Sequence, residues 1–372
     1  MAIRILKGIN PERLIFAFNN NIIRFDSDSG LVPETAEIGG LDVGIILYPH
    51  PDGSFYFNFK DYMSSIINTD NFKDDMVIPN GVWFYNWTSK IYLQNAITLK
   101  INFSDTTSET HVLNIQWLSA YMQLDEYKKT YPLNDIMDFF ILTPQKIGDT
   151  PVLKYWEGYP FDFTIYTPNS DDITIYSIST DNKYVLDYTH GIINRVLISN
   201  GSIEIPDMIR LGFNQLDIYT GGTYIFLTIR KLIPICNNEK HYIKWINRYG
   251  GWNYWLFNHG KKTLNPKGLG VINNDFSNLE DTLSPIENIG VTSFKSILLI
   301  DDISDEDMVM LFDLFESPKI YLFTGEPNSV STYHDWIEVN IKDKAVKIKD
   351  VKYNYVNVQI EIDLPTRITR IL

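Results

Sequence analysis

Among its 372 residues the chain holds one cysteine, Cys236. No intrachain disulfide can form, which excludes a small secreted domain held by crosslinks. No His-plus-acid signature accompanies Cys236, so it reads as a small buried hydrophobe rather than a nucleophile. Histidine is scarce as well: His50, His111, His190, His241, His259 and His334 stand far apart. With no H-E-x-x-H pattern and no cysteine pair, no metal site is expected. Basic charge is in deficit, 32 Lys and Arg against 46 Asp and Glu, for a net charge of −14. Such a surface repels phosphate and gives an anionic membrane no footing, so neither nucleic acid nor a membrane surface is an expected partner. No apolar run approaches the roughly 18 residues of a membrane span. The opening MAIRILKGINPERLIF has neither an apolar signal core nor a small-residue cleavage site, and the expectation is synthesis in a cytoplasm.

The motifs of common catalytic sites are absent too. Gly268-Leu269-Gly270 lacks the third glycine and the strand-to-helix setting of a dinucleotide loop, and there is no Walker sequence. No G-x-S-x-G elbow occurs. Adjacent acids at Asp171-Asp172 and Asp301-Asp302 read as a solvated turn and a helix entry in a chain so rich in carboxylates. The acidic turns Asp26-Ser27-Asp28 and Asp70–Asp75 do not match a calcium loop. We therefore expect no cofactor and no enzymatic activity.

Aromatic residues are abundant, at 14% of the chain with 23 Tyr and 21 Phe, and such enrichment favours strands. The chain is long enough for about two or three cores. The predicted fold is mainly β: tandem β-sandwich domains followed by a small α+β C-terminal module. Residues 1–150 read as an N-terminal β-sandwich-like domain with strands at Arg13–Phe18, Ile22–Phe25, Asp42–Tyr48, Ser54–Phe59, Trp83–Trp87, Ala96–Phe103 and Thr110–Leu118. A short helix is predicted over Lys60–Asn68, and one or two helical turns over Leu133–Phe140. Residues 151–235 read as a second sandwich of immunoglobulin or fibronectin type, with strands at Pro160–Thr167, Ile173–Ser179, Arg195–Ser199 and Leu216–Leu232. Residues 236–287 comprise an aromatic hairpin and a polar extended arm, Asn258–Glu287, expected to reach a neighbouring subunit. Residues 288–372 read as β-α-β followed by a meander. Ser304 caps its helix with Asp307 at the third position, Met308, Leu311, Phe312 and Phe315 form the apolar stripe, and Pro318 ends it.

The richest stretch is HYIKWINRYGGWNYWLFNH, His241–His259, with three of the eight tryptophans. Apolar flanks around Gly250-Gly251 predict a hairpin in which both glycines take positive φ. Trp245, Tyr249, Gly250, Gly251, Trp252, Trp255 and Phe257 are the candidate packing or subunit-interface residues. Trp83, Trp87, Trp252 and Trp255 are the candidates for a sugar-stacking platform.

The segment Tyr242–Phe257, YIKWINRYGGWNYWLF, resembles a pattern in structural proteins of tailed bacteriophages and prophages of Bacteroidota. YPHPDGSFYFNFKDY at Tyr48–Tyr62 is similar to an N-terminal pattern in the same proteins. A third element agrees: the helix Asp305–Phe315, then Ser317-Pro318, a strand, and Trp336-Ile337-Glu338-Val339. The three occur in the same order along the chain, whereas residues 151–234 carry no such likeness. The resemblance implies a virion component of the tail or baseplate region, similar to distal-tail or adaptor proteins. It implies β-sandwich modules in a homo-oligomeric ring with other tail proteins as partners. The alternative reading is a receptor- or glycan-binding virion protein with a host surface glycan as partner, and after it a glycoside hydrolase. The resemblance carries no catalytic residues.

Overall fold

The computed structural model describes residues 2–9, 14–41, 43–68, 70–75, 82–123, 139–168, 172–186, 191–220, 222–234, 239–273, 286–342 and 355–367. The described chain is mostly strand, built as packed β-sandwiches with an α+β region at the C-terminal end. Cys236, His190, Asp171 and the predicted strand at Ala345–Val351 lie outside the described residues.

The first sandwich packs a five-stranded sheet on a three-stranded one. The larger runs in the order Leu14–Phe16, Ser108–Leu118, Tyr92–Phe103, Pro33–Gly39 and Ile45–Leu47; the smaller is Ile3–Lys7, Ile22–Ser27 and Phe55–Asn58. Tyr92–Phe103 and Ser108–Leu118 pair as a long hairpin. Their alternation sends Ile97, Leu99, Ile101, Leu113, Ile115 and Trp117 inward to meet Ile23, Phe25 and Phe55, as the two-residue period of a strand requires. Helix Lys60–Ile66 adds Met63 to this core.

The second sandwich has a six-stranded sheet, in the order Lys146–Ile147, Thr150–Trp156, Thr223–Leu232, Gly212–Thr220, Ile173–Ser177 and Asn182–Leu186. Opposite it lies a four-stranded sheet of Phe140–Ile141, Pro160–Tyr166, Ile193–Asn200 and Phe84–Asn86. Two expectations are corrected here. Phe84–Asn86, read as a strand of the first unit, pairs with Ile193–Asn200 in the second sandwich. Phe140, expected in a helix, is in a strand paired with Tyr166; Leu133–Asp138 lie outside the described residues. The segment predicted at Leu216–Leu232, with its turn signal at Gly221-Gly222, is a hairpin of Gly212–Thr220 and Thr223–Leu232.

The C-terminal region joins two four-stranded sheets through the helix Asp305–Glu316. One sheet is Trp252–Phe257, His241–Ile246, Ile320–Phe323 and Trp336–Glu338. The other is His259–Gly268, Val291–Ser304, Tyr355–Asp363 and Asn340–Ile341. The strands before and after the helix thus belong to different sheets, not to one β-α-β unit. The predicted strand Trp336–Ile341 is divided between them at Val339, which is buried and bonds back to Ile320. The Ser304 cap is present: its hydroxyl accepts from the Asp307 amide at 3.3 Å. The buried helix face is Asp307, Met308, Met310, Leu311, Asp313 and Leu314, with Phe312 and Phe315 half-buried at its border. The expected stripe was off by part of a turn because two inward aspartates find cationic partners in the core.

The described part of the predicted extended arm, residues 258–273 and 286–287, is largely strand. His259–Gly268 pairs with Val291–Ile300 over ten residues, and Val271–Asn273 pairs with Ile286–Asn288. Backbone bonds from Leu269 to Gly290 and from Ile289 to Gly270 join the two ladders into one ribbon. Residues 274–285 lie outside the described residues. One cluster of buried apolar side chains runs through the second sandwich, the aromatic hairpin and the C-terminal sheets, and takes in Leu14, Phe16 and Leu118 of the first.

Candidate functional site

The hairpin His241–Ile246/Trp252–Phe257 sits at the centre of that cluster, and every residue of both strands is buried. Strands covered on both faces carry unbroken apolar runs, and here the sequence is apolar apart from His241, Lys244 and Asn253. The turn differs from the expectation. Ile246 pairs with Trp252, so five residues, Asn247–Gly251, make the connection. Asn247 organises it: its amide donates to the Leu142 carbonyl at 2.8 Å and to Asn253 at 3.0 Å, and its side-chain oxygen accepts from the Tyr249 and Gly251 amides. Only Gly250 has the positive φ, +84°. Gly251 is required for space: a Cβ there would stand 2.3 Å from the Leu142 carbonyl oxygen.

The aromatic side chains of this segment pack inside the chain itself. Trp245 and Phe257 are fully buried, Trp252 and Trp255 nearly so, and Tyr249 is half-buried against Phe16. Trp255 stacks edge-on against Trp156 at 5.3 Å and donates its indole N–H to Asp301 at 3.0 Å. Trp252 lies 6.3 Å from Trp87. Because Trp83, Trp87, Trp252 and Trp255 are all buried, these four present no ring face to a sugar.

The hairpin also carries a charge cluster that the sequence reading did not identify. Lys244 donates to Asp74 at 2.6 Å, Asp74 accepts from Arg195 at 2.9 Å, and Arg195 reaches Asp162 at 2.5 Å. Tyr254 donates its hydroxyl to the same Asp162 at 2.7 Å. All four charged side chains are at most 6% exposed. Aromatic rings enclose the cations. The Lys244 ammonium lies 4.2 Å from the Trp336 ring centre and 5.3 Å from those of Trp252 and Tyr321, and the Arg195 guanidinium lies 4.9 Å from Trp87. Burial alone would raise the Asp74 carboxyl, but the Arg195 and Lys244 charges outweigh it and hold it well below the usual carboxylate range. Burial lowers Lys244, an effect only partly offset by Asp74 and reinforced by the nearby Arg195. The Tyr254 hydroxyl is pushed well above its ordinary value by burial and by the Asp162 charge.

The cluster borders a cavity of about 40 Å³ beside Asn200, Ser331, Tyr333 and Trp336, room for one or two water-sized molecules. Two cations face two carboxylates, so the arrangement is internally neutral. Chemically it acts as a clamp: a loop residue (Asp74), the second sandwich (Asp162, Arg195) and the hairpin (Lys244, Tyr254) are fixed at one point. A signal for it does exist in the sequence, since Asp162, Arg195 and Lys244 each interrupt an apolar strand. A charge inside such a run needs a buried partner, but spacing alone could not say which.

Other charged candidates are likewise committed within the chain. Asp70 and Asp75 pair with Lys90, and Asp26 with Arg4 at 2.6 Å. Asp301 and Asp302, adjacent on a strand, point to opposite faces: the first is buried under Trp255 and the second is exposed and bonded to Asn357. They do not flank a common cleft. Behind the turn, Arg248 holds Asp313 of the helix at 2.6 Å. Burial, only partly offset by Arg248, pushes the Asp313 carboxyl up to about 6. Lys154 pairs with the buried Asp307 and lies 4.9 Å from the Trp255 ring centre. Among the described residues no three His, Cys, Asp or Glu side chains are grouped to hold a metal ion, and no helix is long and apolar enough to cross a membrane.

No protein-family model matches this chain, and no curated protein matches it. Among solved structures, the fibronectin(III)-like modules of Clostridium thermocellum CbhA share 8% identity, covering 62% of this chain and 94% of theirs at a TM-score of 0.20. A titin A168–A169 structure shares 9% identity over 63% of this chain and 99% of its own at 0.27. Domains 4–9 of the surface-layer protein SbsC share 8% identity over 97% of this chain and 42% of theirs at 0.19. Likeness at this level assigns no role to the chain.

Proposed function

We propose that the chain is a non-enzymatic structural protein of a tailed-phage virion, a distal-tail or baseplate component that assembles with copies of itself in a ring. The observation that carries the assembly reading is the ribbon His259–Asn273/Ile286–Ile300. From Pro266 and Ser293 outward it projects for eight residues on one strand, 266–273, roughly 25 Å at strand rise. Apolar side chains on both of its faces are solvent-exposed: Leu269 42%, Val271 57%, Ile272 44%, Ile286 56% and Val291 43%. A lone subunit gains nothing from holding them in water, whereas an assembly buries them. The outer edge of His259–Gly268 carries Lys261, Lys262, Pro266 and Lys267, residue types that discourage indiscriminate strand addition. The ribbon is thus suited to a defined contact through its faces. The phage assignment itself draws on the resemblance of the segments 48–62, 242–257 and 305–339, and it makes the virion tail the protein's location.

Light scattering of the native protein tests the reading. A mass that is a closed multiple of the 43.2 kDa chain, reduced to that of one subunit by Val271→Glu with unchanged thermal midpoint, is the expected result. A strict monomer, alone and mixed with the tail proteins encoded beside it, refutes it.

A further inference from the structure

The outer face of the six-stranded sheet carries a second surface, distant in sequence from the ribbon. Along Gly212–Thr220 and Thr223–Leu232 the residues facing away from the core follow the two-residue period. The antiparallel register sets them in rows: Tyr219 beside Tyr224, Asp217 beside Phe226, Gln215 beside Thr228, and Phe213 beside Arg230. Ile173–Ser177 extends the first two rows with Thr174 and Tyr176. Four rings lie open to solvent: Phe213 is 66% exposed, Tyr224 62%, Tyr219 41% and Phe226 39%. Three of them are in contact, with Tyr219 and Tyr224 at 6.4 Å and Tyr224 and Phe226 at 5.2 Å between centres. The Arg230 guanidinium lies over Phe213, 5.0 Å from the ring centre.

Amid these rings sits Asp217. Its position on the strand points it outward, yet the residue is only 9% exposed, flanked in register by Tyr176 and Phe226. One carboxylate oxygen accepts from the Tyr219 hydroxyl at 3.2 Å. The other is buried and has no hydrogen-bond partner. Buried polar atoms without a partner are uncommon, and a carboxylate oxygen in that state calls for a donor.

We infer that this face is a binding platform for an uncharged polysaccharide, with C–H faces of the sugar rings lying on Tyr219, Tyr224 and Phe226 and a sugar hydroxyl donating to Asp217. Three features select a saccharide. The aromatic rows alternate with carboxylate, amide, hydroxyl and guanidinium groups, whereas the centre of a protein interface is depleted of charge. The Asp217 oxygen is already closed off by its neighbours in the free chain, so its partner must be a small donor that reaches it as those side chains part; a sugar is edged with hydroxyl donors all round. The group awaiting a partner is an anion on a chain of net charge −14, which disfavours acidic sugars. This platform goes beyond the assembly reading and uses none of the ribbon residues.

Native electrophoresis through gels containing mixed-linkage glucan, xylan or galactomannan, with alginate as the acidic control, tests it. The wild-type protein is expected to be retarded by at least one neutral polysaccharide and not by alginate. Tyr224→Ala, at an exposed position, is expected to weaken the retardation at least tenfold while leaving the thermal midpoint and the light-scattering mass unchanged. Asp217→Ala is expected to do the same, and Tyr224→Ala stands alone if that variant is unstable. Three results overturn the inference: no retardation by any of the neutral polysaccharides, retardation equal in wild type and Tyr224→Ala, or self-association that Tyr224→Ala abolishes. The last would make the face a contact between copies. Loss of ring assembly with retention of sugar binding would refute the assembly reading and leave this one standing.

Discussion

Replacing Gly251 by alanine puts one methyl group where the Leu142 carbonyl oxygen already stands, 2.3 Å from the new Cβ and with the Asn247 amide nitrogen at 3.2 Å. Neither neighbour can move freely. Leu142 is held by its own amide bond to Thr164 at 2.9 Å, and its carbonyl accepts from Asn247 at 2.8 Å. Overpacking of this kind costs about 1–3 kcal/mol. Displacing Leu142 also lengthens the Asn247 bond, for about 1 kcal/mol more. The sum is about 2–4 kcal/mol, which should lower protection of the hairpin amides from hydrogen exchange by roughly 30- to 1,000-fold. Gly250→Ala is the comparison. It incurs the cost of a left-handed residue, about 1–2 kcal/mol, because φ there is +84°. Exchange measured by mass spectrometry on peptides spanning 241–257 should therefore rank Gly251→Ala as the more damaging. Protection in Gly251→Ala within about threefold of wild type would refute the steric argument. Damage confined to Gly250→Ala would show that the Gly250 position, with its positive φ and the Ser119 carbonyl oxygen 3.1 Å from a Cβ there, governs this turn.

Asp74→Asn removes the only carboxylate paired with Lys244 among the described residues, and breaking a buried pair in this way costs about 3–5 kcal/mol. Lys244→Met leaves Asp74 paired with Arg195, so its loss in thermal midpoint should be the smaller; the reverse order would dissolve the clamp reading. Asp313 gives a pH signature of definite sign. Its carboxyl is raised from 3.8 to about 6 in the folded chain, so the folded state binds the extra proton and the stabilisation is present at low pH and lost as pH rises through about 6. The stability advantage of wild type over Asp313→Asn should therefore fall by about 2 kcal/mol between pH 4 and pH 7. An advantage that grows over that range would mean that attraction to Arg248 outweighs the burial cost. At the helix start, Ser304→Ala removes the acceptor for the Asp307 amide and should cost about 1 kcal/mol in thermal unfolding; a neutral effect would count against the cap.

The hairpin, the capped helix and the alternating strands 92–103 and 108–118 were legible because each is set by neighbours in sequence. What escaped was sheet membership. Nothing in Phe84–Asn86 says that its partner is Ile193–Asn200, and nothing in Trp336–Ile341 marks Val339 as the point where the chain leaves one sheet for another. The polar composition of residues 258–287 suggested an extended connector but not its pairing: the described part is a ribbon held by its backbone ladder, and a ribbon exposed on both faces has little reason to be apolar. The aromatic density of residues 241–259 located the structural centre correctly in space, but density alone cannot separate a ring in the core from a ring on a surface. The exposed rings of the outer sheet face sit in strands of ordinary composition, where only the register reveals that they share a surface. The charge clamp was half visible, as charges inside apolar runs whose partners lie far along the chain.

The insertion of Phe84–Asn86 into the second sandwich bears on the order in which the chain is made. This strand leaves the ribosome more than a hundred residues before Asn194–Val196, the partners that receive it. At about 5–20 residues per second the interval is roughly 5–20 s. During that time the first sandwich can close over its own core while an apolar strand hangs from it unpaired. A newly made chain thus carries a temporary sticky edge, which a second nascent chain on the same message could pair with. The Asp74 carboxylate waits as long for Arg195, and longer still for its second partner, Lys244. Production of this protein should therefore be limited by slow elongation and crowded polysomes rather than by the stability of the finished molecule.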